Sequence, residues 1–92
     1  MFRRTLQNIA SGMVVLDVHG MHDGHGPDLV IGTASGGSPS WLVSCAEAAA
    51  RSMGWVAEVR HSGPLSASPR TVCSFANEHL AGGVQLEIAA RH

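Results

Sequence analysis

Ninety-two residues allow one domain with a modest core, since a chain of this length buries only about two-thirds of its unfolded surface. With 45% hydrophobic and 14% charged residues the composition is globular, and no apolar run is long enough to cross a bilayer. A net charge of −1, with six arginines scattered apart from Arg3-Arg4, offers no basic footprint, so neither nucleic acid nor an anionic membrane is an expected partner.

The chain opens with "FRRTLQNIAS", where Phe2, Leu6, Ile9 and Ala10 fall at helical spacing ahead of Gly12, and a short amphipathic helix is expected. "TLQNIASG" is too polar for the apolar core of an export signal behind Arg3-Arg4, so the chain reads as cytoplasmic. "MVVLDVH", Met13 to His19, is almost continuously apolar and rich in β-branched residues, the pattern of a strand covered on both faces in a mostly parallel sheet. Period-two alternation sets Asp17 and His19 on one side of it.

"GMHDGHGPD" is a glycine-rich loop, followed by a short strand at "LVIG", Leu29 to Gly32. "SPSWLVSCAEAAARSMG" is the clearest helix, with Ser38 as its cap, Pro39 in its first position, an apolar stripe of Trp41, Leu42, Cys45, Ala48, Ala49 and Met53, and Gly54 as its stop. "WVAEVR", Trp55 to Arg60, reads as a strand and "HSGPLSASPR" as loop. Residues 71–81 fit either helix or irregular structure. "GGVQLEIAARH" ends the chain as a strand with Val84, Leu86 and Ile88 on one face and Gln85 and Glu87 on the other. Strands alternating with helical segments give an α/β class, a mostly parallel or mixed sheet flanked by helices. Cys45 and Cys73 match no paired metal spacing and are expected as buried free thiols.

In open α/β sheets ligands collect beyond the carboxyl ends of strands, and His19 and Glu87 both sit near such ends. A strand-end histidine can ligate a metal through one nitrogen while a carboxylate such as Asp17 orients the other, although more often it is only a polar terminus. Glu87 can act as a general base beside a metal-bound water; failing that it would pair with an arginine such as Arg91. His22, His25 and Asp23 are further metal-ligand candidates from the loop, with spacing that also binds nickel or zinc adventitiously. Gly36-Gly37 fits no nucleotide-binding pattern and reads as a turn, and Ser35, Ser38, Ser40 and Ser44 form no nucleophile elbow.

"VLDVHGM", "DLVIGT" and "GGVQLEIAAR", in that order, resemble the C-terminal half of the zinc-dependent N-formylglutamate amidohydrolase family, and the related poly-γ-glutamate hydrolases have a similar Gly-Val-Gln-Leu-Glu ending. The resemblance implies a partial zinc-carboxypeptidase-like domain and amide hydrolysis by a zinc-bound water, on an N-acyl amino acid or a γ-glutamyl amide. It makes His19 the last of three protein zinc ligands and Glu87 the general base. Arg60 and Arg70 are candidates to hold a substrate carboxylate, though no motif match supports either.

The family's first two zinc ligands, a histidine and a glutamate, belong to a segment ahead of these motifs, and only twelve residues precede the first strand here. The resemblance therefore implies a truncated domain with an incomplete Zn2+ site, completed by a homodimer partner or by a complementary N-terminal half. The alternative is a non-catalytic remnant or small binding protein of the same fold. Either way a sheet edge would be left unpaired, which invites association.

Overall fold

The computed structural model describes residues 13–22, 24, 26–62 and 72–92, with 72–74 as backbone only. The helix expected near the N-terminus, the candidates Asp23, His25 and Arg70, and the Cys73 side chain lie outside the described residues. The elements run β1 (Val14–Met21), β2 (Leu29–Gly32), α1 (Ser40–Ser52), β3 (Ala57–Arg60), α2 (Val72–His79) and β4 (Gly82–Ala89). The strands form one four-stranded sheet in the order β1-β4-β2-β3.

The class is α/β and the sheet is mixed. β1 pairs parallel with β4 and β2 parallel with β3, while β2 meets β4 antiparallel. Adjacent parallel strands cannot be joined by a tight turn, and the thirteen residues of α1 supply the crossover from β2 to β3. No described helix is long and apolar enough to cross a membrane.

Alternation decides what each face holds. Leu29, Ile31 and Val84 point to one side and close a core with Leu42 and Ala50 of α1, bordered by Ala46, Trp55, Val59, Leu86 and Ile88. Ile31 and Val84 are fully buried, and such a side chain contributes about 1.5–3 kcal/mol through the water it sheds. On the opposite side, register aligns Asp17 and His19 with Gln85 and Glu87, then with Val30, Gly32, Glu58 and Arg60.

α1 packs through Leu42, Ala46 and Ala50, a strict one-in-four ridge whose alanines let the helix approach the sheet closely. The expected stripe is therefore rotated: Trp41, Cys45, Ala48, Ala49 and Met53 are exposed, and Cys45 is a free thiol at the surface rather than a buried one. Pro39, not Ser38, is the cap residue, with extended backbone and no side-chain cap bond. Ser38 instead donates its hydroxyl to the Gly83 carbonyl. Gly54 ends the helix as expected, at φ 72°, with Trp55 N–H bonded to Ala50 O at 2.9 Å and Gly54 N–H to Arg51 O at 3.0 Å.

β1 departs from expectation in another way. Its run of apolar residues predicts cover on both faces, yet it is an edge strand whose one strand neighbour among the described residues is β4; α1 packs on β2, β3 and β4, and α2 on β4 and β1. Leu16 and Val18 remain 54% and 57% exposed.

Two junctions lock the elements. Gly82, at φ 145°, lies against the Pro39 ring, where a Cβ would overlap Cγ and Cδ; Gly83 N–H is held by Asn77 Oδ1 at 2.7 Å. At the other end of β4, Asp28 accepts from Val56 N–H at 2.7 Å, from Arg91 at 2.7 Å and from His92 Nε2 at 2.8 Å, while the His92 ring stacks on Trp55. Arg91, the arginine expected beside Glu87, serves Asp28 instead.

Replacing Gly82 with alanine is expected to cost about 2–4 kcal/mol, from a strained φ plus overlap with a rigid ring, read as a lower urea midpoint. The bond from His92, then Val56 N–H and Arg91, holds the Asp28 carboxyl well below the usual carboxylate range. Since the folded value lies below the unfolded one, this contribution is full above about pH 4 and is lost as the pH falls further. The wild-type urea midpoint is expected to drop between pH 5 and 3 by more than that of Asp28→Asn.

Candidate functional site

Parallel pairing of β1 with β4 builds the site. Two parallel strands in register bring residues of like parity side by side, so His19 sits beside Glu87 and Asp17 beside Gln85. The four groups form a polar block on the sheet face away from α1, at the third of the strand pair nearest its carboxyl end for His19 and Glu87.

Glu87 is only 7% exposed and Gln85 8%. A buried carboxylate needs donors to offset the water it has lost. The Gln85 amide provides one, Nε2 donating to Glu87 Oε1 at 3.2 Å. His19 is the exposed member, on the edge strand, with Nε2 2.9 Å from Asp17 Oδ1. The hydrogen bond to Asp17 and its charge, with a smaller contribution from the Glu87 carboxylate, raise the His19 pKa above its ordinary 6.5, against a small opposing effect of burial. Asp17 thus orients the imidazole and favours its protonated form.

That protonation competes with metal binding, because a histidine ligates only when neutral. A catalytic zinc ordinarily needs three protein ligands and an open position. Among the described residues no three histidine, cysteine or carboxylate side chains converge to hold a metal ion. The described residues therefore do not fit a zinc centre by themselves.

The remaining candidates are placed differently. His22 lies exposed just past β1, its Nδ1 accepting the Gly24 N–H at 3.1 Å, a bond that closes the loop on itself. Arg60 shares the sheet face of Glu87: it pairs in register with Gly32, which pairs with Gln85. Its guanidinium holds Glu58 at 2.9 Å.

Two polar features acquire a part that residue type and spacing do not assign. Gln85 stands two residues before Glu87 on the same face, a spacing the alternation already contains. Thr33, 1% exposed at the end of β2, meets His61 Nδ1 at 2.7 Å and accepts the Gly36 N–H at 3.0 Å, where Ala34 and Ser35 adopt positive φ. This pair fastens the loop before α1 to the end of β3.

In comparison with known proteins, the chain matches no family model, no curated protein and no solved structure.

Removing the Asp17 charge is expected to lower the His19 pKa toward 6.5, read from the imidazole proton shifts of Asp17→Asn across a pH titration. Because the folded-state value is raised, the stability this pair contributes is full below the unfolded pKa and fades as the pH rises through the folded one. The midpoint difference between wild type and Asp17→Asn is therefore expected to shrink from pH 5.5 to pH 8.5.

Proposed function

We propose that this chain carries part of the site of a zinc-dependent amide hydrolase of the N-formylglutamate amidohydrolase type, within a partial zinc-carboxypeptidase-like domain that does not hold its metal alone. The observation that supports the reading is the side-by-side placement of His19 and Glu87 on β1 and β4. One is a metal-ligand residue type oriented by a carboxylate, the other a buried carboxylate suited to holding a proton.

On this reading Asp17 fixes the His19 ring through Nε2, which leaves Nδ1 for the metal. Gln85 steadies the Glu87 carboxylate, so that a proton taken up there stays at a fixed position on the sheet face. Arg60 would exchange Glu58 for a substrate carboxylate, that of an N-acyl amino acid or a γ-glutamyl compound. The metal ligands beyond His19 come from outside the described residues, and without them the chain is a non-catalytic domain. No hydrolytic step is assigned to the chain by itself.

Zinc titration by calorimetry, with parallel assays on N-formylglutamate and a γ-glutamyl amide, tests this. The expected result is weak zinc binding that His19→Ala reduces by roughly tenfold or more, with no hydrolysis by the chain alone. Binding that survives His19→Ala, or is lost only with His22→Ala, would remove His19 from the site. Amide hydrolysis by the isolated chain that disappears in Glu87→Gln would instead overturn its incompleteness.

A further inference from the structure

The sheet has two edges of opposite character. β3 is four residues long and displays the Glu58 and Arg60 ion pair, a short charged edge of the kind that resists pairing. β1 is eight residues long, contains no proline, lysine or arginine, and has β4 as its one strand neighbour among the described residues. Leu16 and Val18 stand out from it on the side of α1, 54% and 57% exposed. Beside them lies an open apolar groove of about 220 Å³ lined by Leu16, Leu42, Cys45, Ala46, Ala49 and Leu86.

We infer that β1 is the interface with a second copy of this chain, the two strands running antiparallel about a two-fold axis at Val18. The sequence Asp17-Val18-His19 is self-complementary about that point. With the axis on Val18, Asp17 lies opposite the partner's His19 and His19 opposite the partner's Asp17, so both cross-strand pairs are attractive. Centring the axis on Asp17 or on His19 would set like against like.

A two-fold axis perpendicular to the sheet keeps each face continuous. The two α1 helices then lie on the same side of an eight-stranded sheet, and Leu16 and Val18 meet the partner's Gly20 and Val18 beside the two grooves. The outer amides and carbonyls of β1, which pair with no other strand among the described residues, find partners, and the exposed apolar stripe leaves water. A second copy is favoured over an unrelated partner because the charges on the edge match their own mirror order.

Light scattering behind size exclusion, over a hundredfold concentration range of the full chain, reads the mass. A dimer is expected, and Val18→Lys is expected to give a monomer with an unchanged circular dichroism spectrum, since it sets like charges together at the axis. Register is read by oxidation in a Cys45→Ser, Cys73→Ser background. Val18→Cys is expected to cross-link, because directly opposite residues lie within disulfide reach. Leu16→Cys is not, because its equivalents would stand about 14 Å apart along the strands. A monomer at every concentration, a dimer indifferent to Val18→Lys, or cross-linking through Leu16→Cys in place of Val18→Cys would overturn the inference.

Discussion

β4 forms both long-range seams of the sheet, pairing with β1 along eight residues and with β2 along four, so the sheet closes only when residues 82–89 are in place. Almost everything else is arranged around that strand. Its first two residues carry the junction where the start of α1 and the side of α2 converge: Pro39 on Gly82, and Ser38 and Asn77 on the two backbone groups of Gly83. Such a topology makes the decisive pairings non-local in sequence, which raises the loop-closure cost before any seam can form. The local β2-α1-β3 unit is the part that can assemble without it.

The same strand divides core from chemistry. Val84, Leu86 and Ile88 face α1, and Gln85 and Glu87 face away. A slip of one residue would exchange the two sets and drive a carboxylate into the apolar core. The register is therefore held by hydrophobic burial on one side and by the cost of an unpaired acid on the other. Glu87 is tolerated where it stands because Gln85 bonds it and the exposed edge of the sheet supplies His19, whose own carboxylate partner Asp17 lies level with Gln85.

Much of this was legible in the residues, and the exceptions share a cause. β2 and β4 announce themselves by run and alternation, α1 by its stop signal and its length, and the Asp17 and His19 face by period two. What local pattern does not contain is which strand lies beside which. That is why the residues leave a mostly parallel and a mixed sheet both open until β4 is seen to run against β2, why β1 reads as covered when it is an edge, and why Arg91 is a possible partner for Glu87 when it bonds Asp28, sixty-three residues away. Residues 72–79 resist assignment for another reason: a helix this short gains its stability from packing, through Phe75 and Ala76, more than from propensity. For the site, the individual side chains could be named from their spacing, but the part played by Gln85 follows only from burial on the assembled sheet.

The mixed topology also decides where a ligand can be held. Because β1 and β4 run one way and β2 and β3 the other, the carboxyl termini of the two strand pairs fall at opposite ends of the sheet along the strand direction. No single crevice beyond the strand ends can gather His19, Glu87 and Arg60. They share a face instead, with Arg60 level with Gln85 across Gly32, so that its Cα stands about 10 Å away across two strand spacings. A guanidinium on a long side chain can span much of that distance, and Gly32 places no side chain in the way. Arg60 is engaged by Glu58, and under the proposed reading a substrate carboxylate would compete with that half-exposed acid, whose surface ion pair is worth about 1 kcal/mol or less. Under the proposed reading, a substrate held along this sheet face, from the edge histidine to the third neighbouring strand, would be an elongated acidic compound rather than a compact one.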